Sequence, residues 1–162
     1  MRRYKLIGDI TQDSYKEFSE FLDEMESKNV PKIHIELFSD GGDAHAALAF
    51  FDKIVNSKVN ITIEAIGNVA SAAVLVLAAG DIRIMNKSAW VMVHEDSGKL
   101  TGDVVALERE SQQMRRLEDQ WATLLASKTK PDAKLWTHLH KKTTYMDSSE
   151  CLAHGLVDMV KP

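Results

Sequence analysis

Apolar positions recur along the chain with two periods, and the switches between them mark the elements. Tyr4 to Ile10 reads as a short strand running to a Gly8-Asp9 turn. Tyr15, Phe18, Leu22 and Met25 then fall at helical spacing, which predicts an amphipathic helix over 13–28 that Asn29 and Pro31 stop. Ile33, Ile35 and Leu37 alternate with polar residues as a strand does, and Ser39-Asp40-Gly41-Gly42-Asp43 is a tight loop after it. Ala47, Phe50, Phe51 and Ile54 mark a second helix ending near Ser57. A third strand is predicted over 60–66, then an apolar helix from Ala72 to Ala79 closed by Gly80. Two further strands, 82–85 and 90–94, are joined through Asn86-Lys87-Ser88, and 95–102 is a polar loop.

A long helix is expected from Asp103 to about Ser127, with Val104, Leu107, Met114, Leu117, Trp121 and Leu124 along one side. About 25 residues at 1.5 Å each extend about 37 Å, more than a small domain needs, which points to packing against a neighbouring subunit. Pro131 suits the first turn of a short helix through Trp136 and Leu139. Asp147-Ser148-Ser149-Glu150 has the form of a capping box, its helix ending at Gly155, and Leu156 to Val160 is a last strand. Alternating strands and helices predict an α/β fold with parallel pairing, and the lack of any repeat or linker predicts one domain over 1–162.

Composition narrows the function classes. The 162 residues are 44% hydrophobic and 27% charged, ordinary for a globular domain with a real core. A net charge of −4 gives no support to a nucleic-acid or anionic-membrane partner. Arg2-Arg3 is followed by no apolar h-region, and the longest apolar stretch, Val69 to Ala79, is too short to span a bilayer. The single cysteine, Cys151, forbids an internal disulfide; it is expected to be a small buried residue in a cytoplasmic protein. No His, Cys, Asp and Glu set has metal spacing and no glycine motif suits phosphates, so no metal and no cofactor is expected.

Chemistry gathers at three places. Ser71 lies between the third strand and the apolar helix, in Gly67-Asn68-Val69-Ala70-Ser71-Ala72-Ala73. A hydroxyl there is beside a helix N-terminus, whose N–H groups and dipole favour developing negative charge. Gly41-Gly42 follows a strand end, where glycine lets backbone N–H groups approach a ligand. His94 ends the strand Trp90 to His94, and loops at the C-terminal ends of parallel strands share one edge. Each alone has an ordinary reading: a helix cap, a turn, a structural histidine. Of the other histidines, His45 could line a site after the Gly-Gly loop, His34 is a polar strand position, and His138, His140 and His154 read as surface residues.

Taken together these stretches resemble the proteolytic subunit of the Clp protease, the ClpP family. The resemblance rests on Ser39-Asp40-Gly41-Gly42, on the Ser71 segment, on Leu77-Ala78-Ala79-Gly80 and Asn86-Lys87-Ser88, on Val91-Met92-Val93-His94-Glu95, and on Met146 through Asp158. It implies a crotonase-like superhelical ββα fold with a long handle helix, Asp103 to Ser127, through which heptameric rings stack. It implies Ser71 as nucleophile, His94 as general base, and the Gly42 and Ala72 N–H groups as oxyanion hole. Residues near Gly42 and from Glu95 to Leu100 would then hold a peptide or unfolded-protein substrate as an added strand.

Three departures qualify that picture. Thr143 stands where the family's triad aspartate belongs; it can accept a hydrogen bond but supplies no charge. Asp147 is an alternative carboxylate, although its first reading is the helix cap, and Asp132 is a weaker one. Asp40 replaces the usual proline, adding a charge beside the oxyanion hole. The resemblance starts at the family's first core strand, without the N-terminal axial segment, which makes coupling to a Clp ATPase uncertain. The expectations are a serine endopeptidase of reduced activity, or a non-catalytic ring subunit; a crotonase-type acyl-CoA enzyme is third, since it has no need of a Ser71–His94 pair.

Overall fold

The computed structural model describes residues 1–95 and 99–162. Strands β1 (Arg2–Ile7), β2 (Lys32–Ser39), β3 (Asn60–Ala70), β4 (Ile82–Asn86) and β7 (Met159–Lys161) form one parallel sheet in that spatial order. Helices α1 (Gln12–Ser27) and α2 (Ala44–Val55) provide the first two crossovers. Each has the cap its sequence offers. Thr11 forms a capping box with Ser14, and the Asp43 carboxylate accepts the Ala46 N–H at 2.8 Å. Helix α3 (Ala72–Ala79) is apolar on every side and all eight of its residues are buried, as a helix without a polar face must be.

Strand β3 is longer than its apolar alternation suggests, and this extension builds the site. Thr62 to Ala65 pair with β4, whereas Asn68 to Ala70 pair with β5 (Trp90–Val93). The strand expected to end at 66 therefore continues to the residue before Ser71, because a second partner takes over its hydrogen bonds. Strand β6 (Thr144–Met146) adds antiparallel to β5, with Val93 opposite Thr144. Three residues held by a neighbour carry no periodic signal, so the sequence did not show it. The last strand is shifted: Leu156 and Val157 are buried in a turn bonded back to Cys151, and pairing begins only at Met159.

Helix α4 (Val104–Lys128) buries only Trp121, Ala122 and Leu125, all near its C-terminal end. Val104 and Val105 at the other end are 71% and 54% exposed. Arg83 seats the packed end. Its Nη1 donates to the Lys128 carbonyl at 2.6 Å, and its Nη2 donates to Asp158 Oδ1 at 2.8 Å. Helix α5 (Ala133–Lys141) is anchored by the fully buried Trp136, whose indole N–H donates to Thr129 Oγ1 at 2.8 Å. Helix α6 (Ser148–Ala153) precedes β7. Among the described residues, no helix is long and apolar enough to cross a membrane.

Candidate active site

Ser71 occupies a backbone conformation that few side chains adopt, φ 53° and ψ −124°. This is the corner of a type II′ turn, usually taken by glycine, and it costs a non-glycine residue about 1–3 kcal/mol. The surroundings impose it. The Ser71 N–H donates to the Met92 carbonyl at 2.8 Å, tying the residue to β5, and its own carbonyl accepts from Val74 N–H at 3.0 Å. Its hydroxyl makes no capping bond to α3. The ordinary reading of a serine before a helix, that of an N-cap, therefore does not describe this one. The N–H of Ala72, the first residue of α3, has no intrahelical acceptor to meet.

The Gly41-Gly42 loop lies against this turn. A side chain on Gly41, at φ 107°, would place its Cβ 2.8 Å from Ser71 Cβ and 2.9 Å from the Ala70 carbonyl oxygen. At Gly42, φ 146°, a Cβ would meet the Ile10 carbonyl oxygen at 2.3 Å. Both positions are closed to any other residue, so both glycines are there for approach. The loop is held by Ile10, whose N–H donates to the Gly41 carbonyl and whose carbonyl accepts from Asp43 N–H, each at 2.8 Å. None of these bonds uses the Gly42 N–H. Asp40 turns outward, its Oδ1 accepting from Asn68 Nδ2 at 2.7 Å on the exposed face, so its charge is engaged away from the glycines.

Gly42, Ser71, Ala72 and His94 line one cavity. Its far wall comes from α4 and α5, through Leu117, Trp121, Thr137 and His140, with Glu118 and Lys141 also on it. His140, read from the sequence as a surface residue, is thus a wall residue. Trp136 and His140 share a helix face at i, i+4, so a buried tryptophan at 136 was the signal that this histidine turns inward. Burial, followed by the nearby His94, holds the His140 imidazole below its usual range, against the bond to the Trp136 carbonyl. His45 is exposed and outside this cavity. His34 also departs from expectation: it is buried, with Nε2 at 2.8 Å from Glu64 Oε2. His138 is exposed, and His154 packs against Trp136 with ring centroids 6.3 Å apart.

The carboxylate candidates separate clearly. Asp147 caps α6: its Oδ1 accepts from Glu150 N–H at 2.9 Å while Glu150 Oε2 accepts from Asp147 N–H at 2.9 Å. The Ser149 hydroxyl and the Glu150 N–H hold its carboxyl below the usual range. Asp132 caps α5 through Leu135 N–H at 2.8 Å. Neither lines the cavity. Thr143 follows closely on α5 and precedes β6, whose pairing with β5 ends at Thr144 opposite Val93; Thr143 itself lies outside that ladder and does not line the cavity. Thr143 is exposed at φ 48°, and its N–H donates to the His140 carbonyl at 3.1 Å. Glu95 is at the cavity rim; of the expected substrate-binding stretch 95–100, residues 96–98 lie outside the described ones. Cys151 is fully buried and burial pushes its thiol up to about 12, so it is no nucleophile at neutral pH.

Comparisons with known proteins bear on the family and the fold. The family model for Clp protease covers residues 1–162. The chain belongs to the Clp protease family. A curated relative, the ATP-dependent Clp protease proteolytic subunit 2 of Treponema pallidum (strain Nichols), is 28% identical over 159 residues, spanning 96% of this chain and 80% of that protein. Among solved structures, the ClpP1 N165D mutant from Listeria monocytogenes superposes with a TM-score of 0.91 at 22% identity, over 99% of this chain and 91% of that one. At that identity the match speaks for the fold, which is the Clp protease α/β fold expected from the sequence.

Proposed function

We propose that the chain is a serine endopeptidase of the Clp type in which Ser71 is the nucleophile and His94 the general base. The observation that carries this reading is the Ser71 backbone: a strained turn, tied to β5, with a hydroxyl spent on no cap beside two glycine-only positions. Backbone strain of this kind survives where the surroundings enforce it, commonly at sites of chemistry. In the reaction, the Ser71 oxygen bonds to a peptide carbonyl carbon as His94 takes its proton. The Gly42 and Ala72 N–H groups hold the resulting oxyanion. The C–N bond then breaks as His94 returns the proton to the leaving amine, and water repeats the sequence on the acyl-enzyme.

Thr143 in the triad-aspartate position leaves the His94 imidazolium without a facing charge. Removing that charge in a related triad costs about 10⁴ in kcat, part of it from a wrong tautomer that a threonine acceptor avoids. Turnover is therefore slow. The same residue favours a second reading, a ring subunit that contributes structure while a partner subunit cleaves. The substrates are peptides or unfolded protein, met inside a homo-oligomeric chamber of heptameric rings; any Clp ATPase would act on that assembly. A fluorophosphonate probe tests the chemistry: Ser71 is labelled, and Ser71→Ala is not. Absence of labelling in every oligomeric state would sink the peptidase reading and leave the structural one.

A further inference from the structure

A cavity that holds both nucleophile and oxyanion donors receives the side chain of the residue whose carbonyl is attacked. Here one wall of that cavity is polar in a specific way. His140 Nδ1 lies 2.6 Å from the Trp136 carbonyl oxygen. A carbonyl only accepts, so Nδ1 carries the proton, and in the neutral ring Nε2 is left as an acceptor. Desolvation by burial favours that neutral ring. Among the described residues, no hydrogen bond reaches Nε2. Trp121 packs edge-on to His140, with ring centroids 6.5 Å apart. Its indole N–H is buried without an acceptor, and Trp121 as a whole is only 9% exposed. A buried donor left unpaired is destabilising, and a ligand acceptor offsets that cost. Leu117, on the same wall, offers apolar contact to a side-chain stem. The ionisable groups facing His140 across the cavity are His94 and Glu95 from the β5 end, Glu118 from α4 and Lys141 from α5.

We propose that His140 and Trp121 make this a pocket for a residue with a primary amide, glutamine above all, at the position whose carbonyl Ser71 attacks. The amide N–H donates to His140 Nε2 and the amide carbonyl accepts the Trp121 indole N–H, while the methylenes lie on Leu117. The proposal rests on the peptidase reading for its cleavage consequence but not for binding. Methionine is close to glutamine in shape and lacks both polar partners, so the pair isolates the hydrogen bonds. A site built around such bonds discriminates against the analogue that lacks them.

The experiment uses the full chain in its native assembly. Acetylated tripeptides ending in Gln or Met, the products of cleavage at those residues, are titrated calorimetrically into the Ser71→Ala protein. The Gln peptide is expected to bind about tenfold more tightly. Adding His140→Leu, near in volume to histidine, should abolish or reverse that preference, and Trp121→Phe should reduce it while the fold persists by circular dichroism. In active protein, the same substitutions should redistribute cleavage from Gln towards Met and Leu. Equal binding of the two peptides, or no binding of either at millimolar concentration, overturns the proposal whatever the outcome of Ser71 labelling. So does a His140→Leu variant that slows cleavage of all peptides equally, which would make His140 a positioning residue for His94. If Ser71 fails to label while the Gln preference holds, the peptidase reading falls and the pocket stands.

Discussion

Ser71 and Gly41 are coupled through space more tightly than their separation in sequence implies. A methyl on Gly41 would enter the Ser71 side chain and the carbonyl before it, from a backbone at φ 107°. Gly41→Ala should therefore lose about 2–4 kcal/mol, from backbone strain and overpacking together, read as the urea midpoint. It should also lose probe labelling, because the residue displaced is the proposed nucleophile. Gly8→Ala is the control: Gly8 has φ 100°, and a Cβ added there would meet nothing within 4 Å, so it should cost only strain and leave labelling intact. Thr143 poses the opposite case. A β-branched residue at φ 48° is strained, whereas aspartate and asparagine are common in that region. Thr143→Asp should thus stabilise the fold by up to about 1 kcal/mol and, on the reading that position 143 is that of the triad aspartate, raise the labelling rate of Ser71 by about tenfold or more. Thr143→Asn separates the two effects. It should give the stability without the rate, and equal rates for both variants would show that charge is not what the site lacks.

At the scale of elements, legibility in the sequence followed periodicity. Helices α1 and α2 bury one face each and α4 buries only its C-terminal part, yet the apolar spacing of all three placed them within a few residues. Strands β3 and β6 were misjudged for one reason: their limits are set by the partner β5, not by their own alternation. Ser71, His94, Gly42 and Ala72 could be singled out in the sequence because each lies at or just beyond the end of an element, and the four line one cavity. His140 was missed because its burial is dictated by how α5 packs. The Glu64 cluster was missed likewise. Glu64 on β3 accepts from Lys161 Nζ at 2.9 Å, 97 residues away on β7, and contacts His34 on β2. Burial alone would raise its carboxyl, but the bonds to Lys161 and His34 outweigh this and hold it below the usual range. A carboxyl lowered in the folded state contributes stability above its unfolded value, about 4.3, and loses it as pH falls through the folded one. Between about pH 6 and about pH 3.5 the urea midpoint should therefore fall further in the natural protein than in Glu64→Gln, which is also less stable at the upper pH. Parallel curves would mean that the cluster carries no acid sensitivity.

The whole molecule presents a long lever and a small fulcrum. Helix α4 extends 25 residues, yet only Trp121, Ala122 and Leu125 are buried, and Arg83 fixes the C-terminal end alone. A helix of this length is stable in water chiefly when an apolar face is covered. Along its outer half, Val104 and Val105 are exposed, and Leu100 just before it is 37% exposed. Within one subunit nothing among the described residues covers that end, whereas the same helix end from a second subunit would bury it. The cavity wall at Leu117 and Trp121 belongs to the same helix, so seating its outer half on a neighbour would also steady the wall facing Ser71. Val104→Glu together with Val105→Glu should therefore shift the assembly to smaller species in sedimentation velocity. The fold should survive, because neither side chain contributes to the core. Labelling of Ser71 should fall with the assembly and recover at protein concentrations that restore it. Full labelling of the dissociated subunit would show that the site is complete without its neighbour, and an unchanged sedimentation profile would place the subunit contact elsewhere on the molecule.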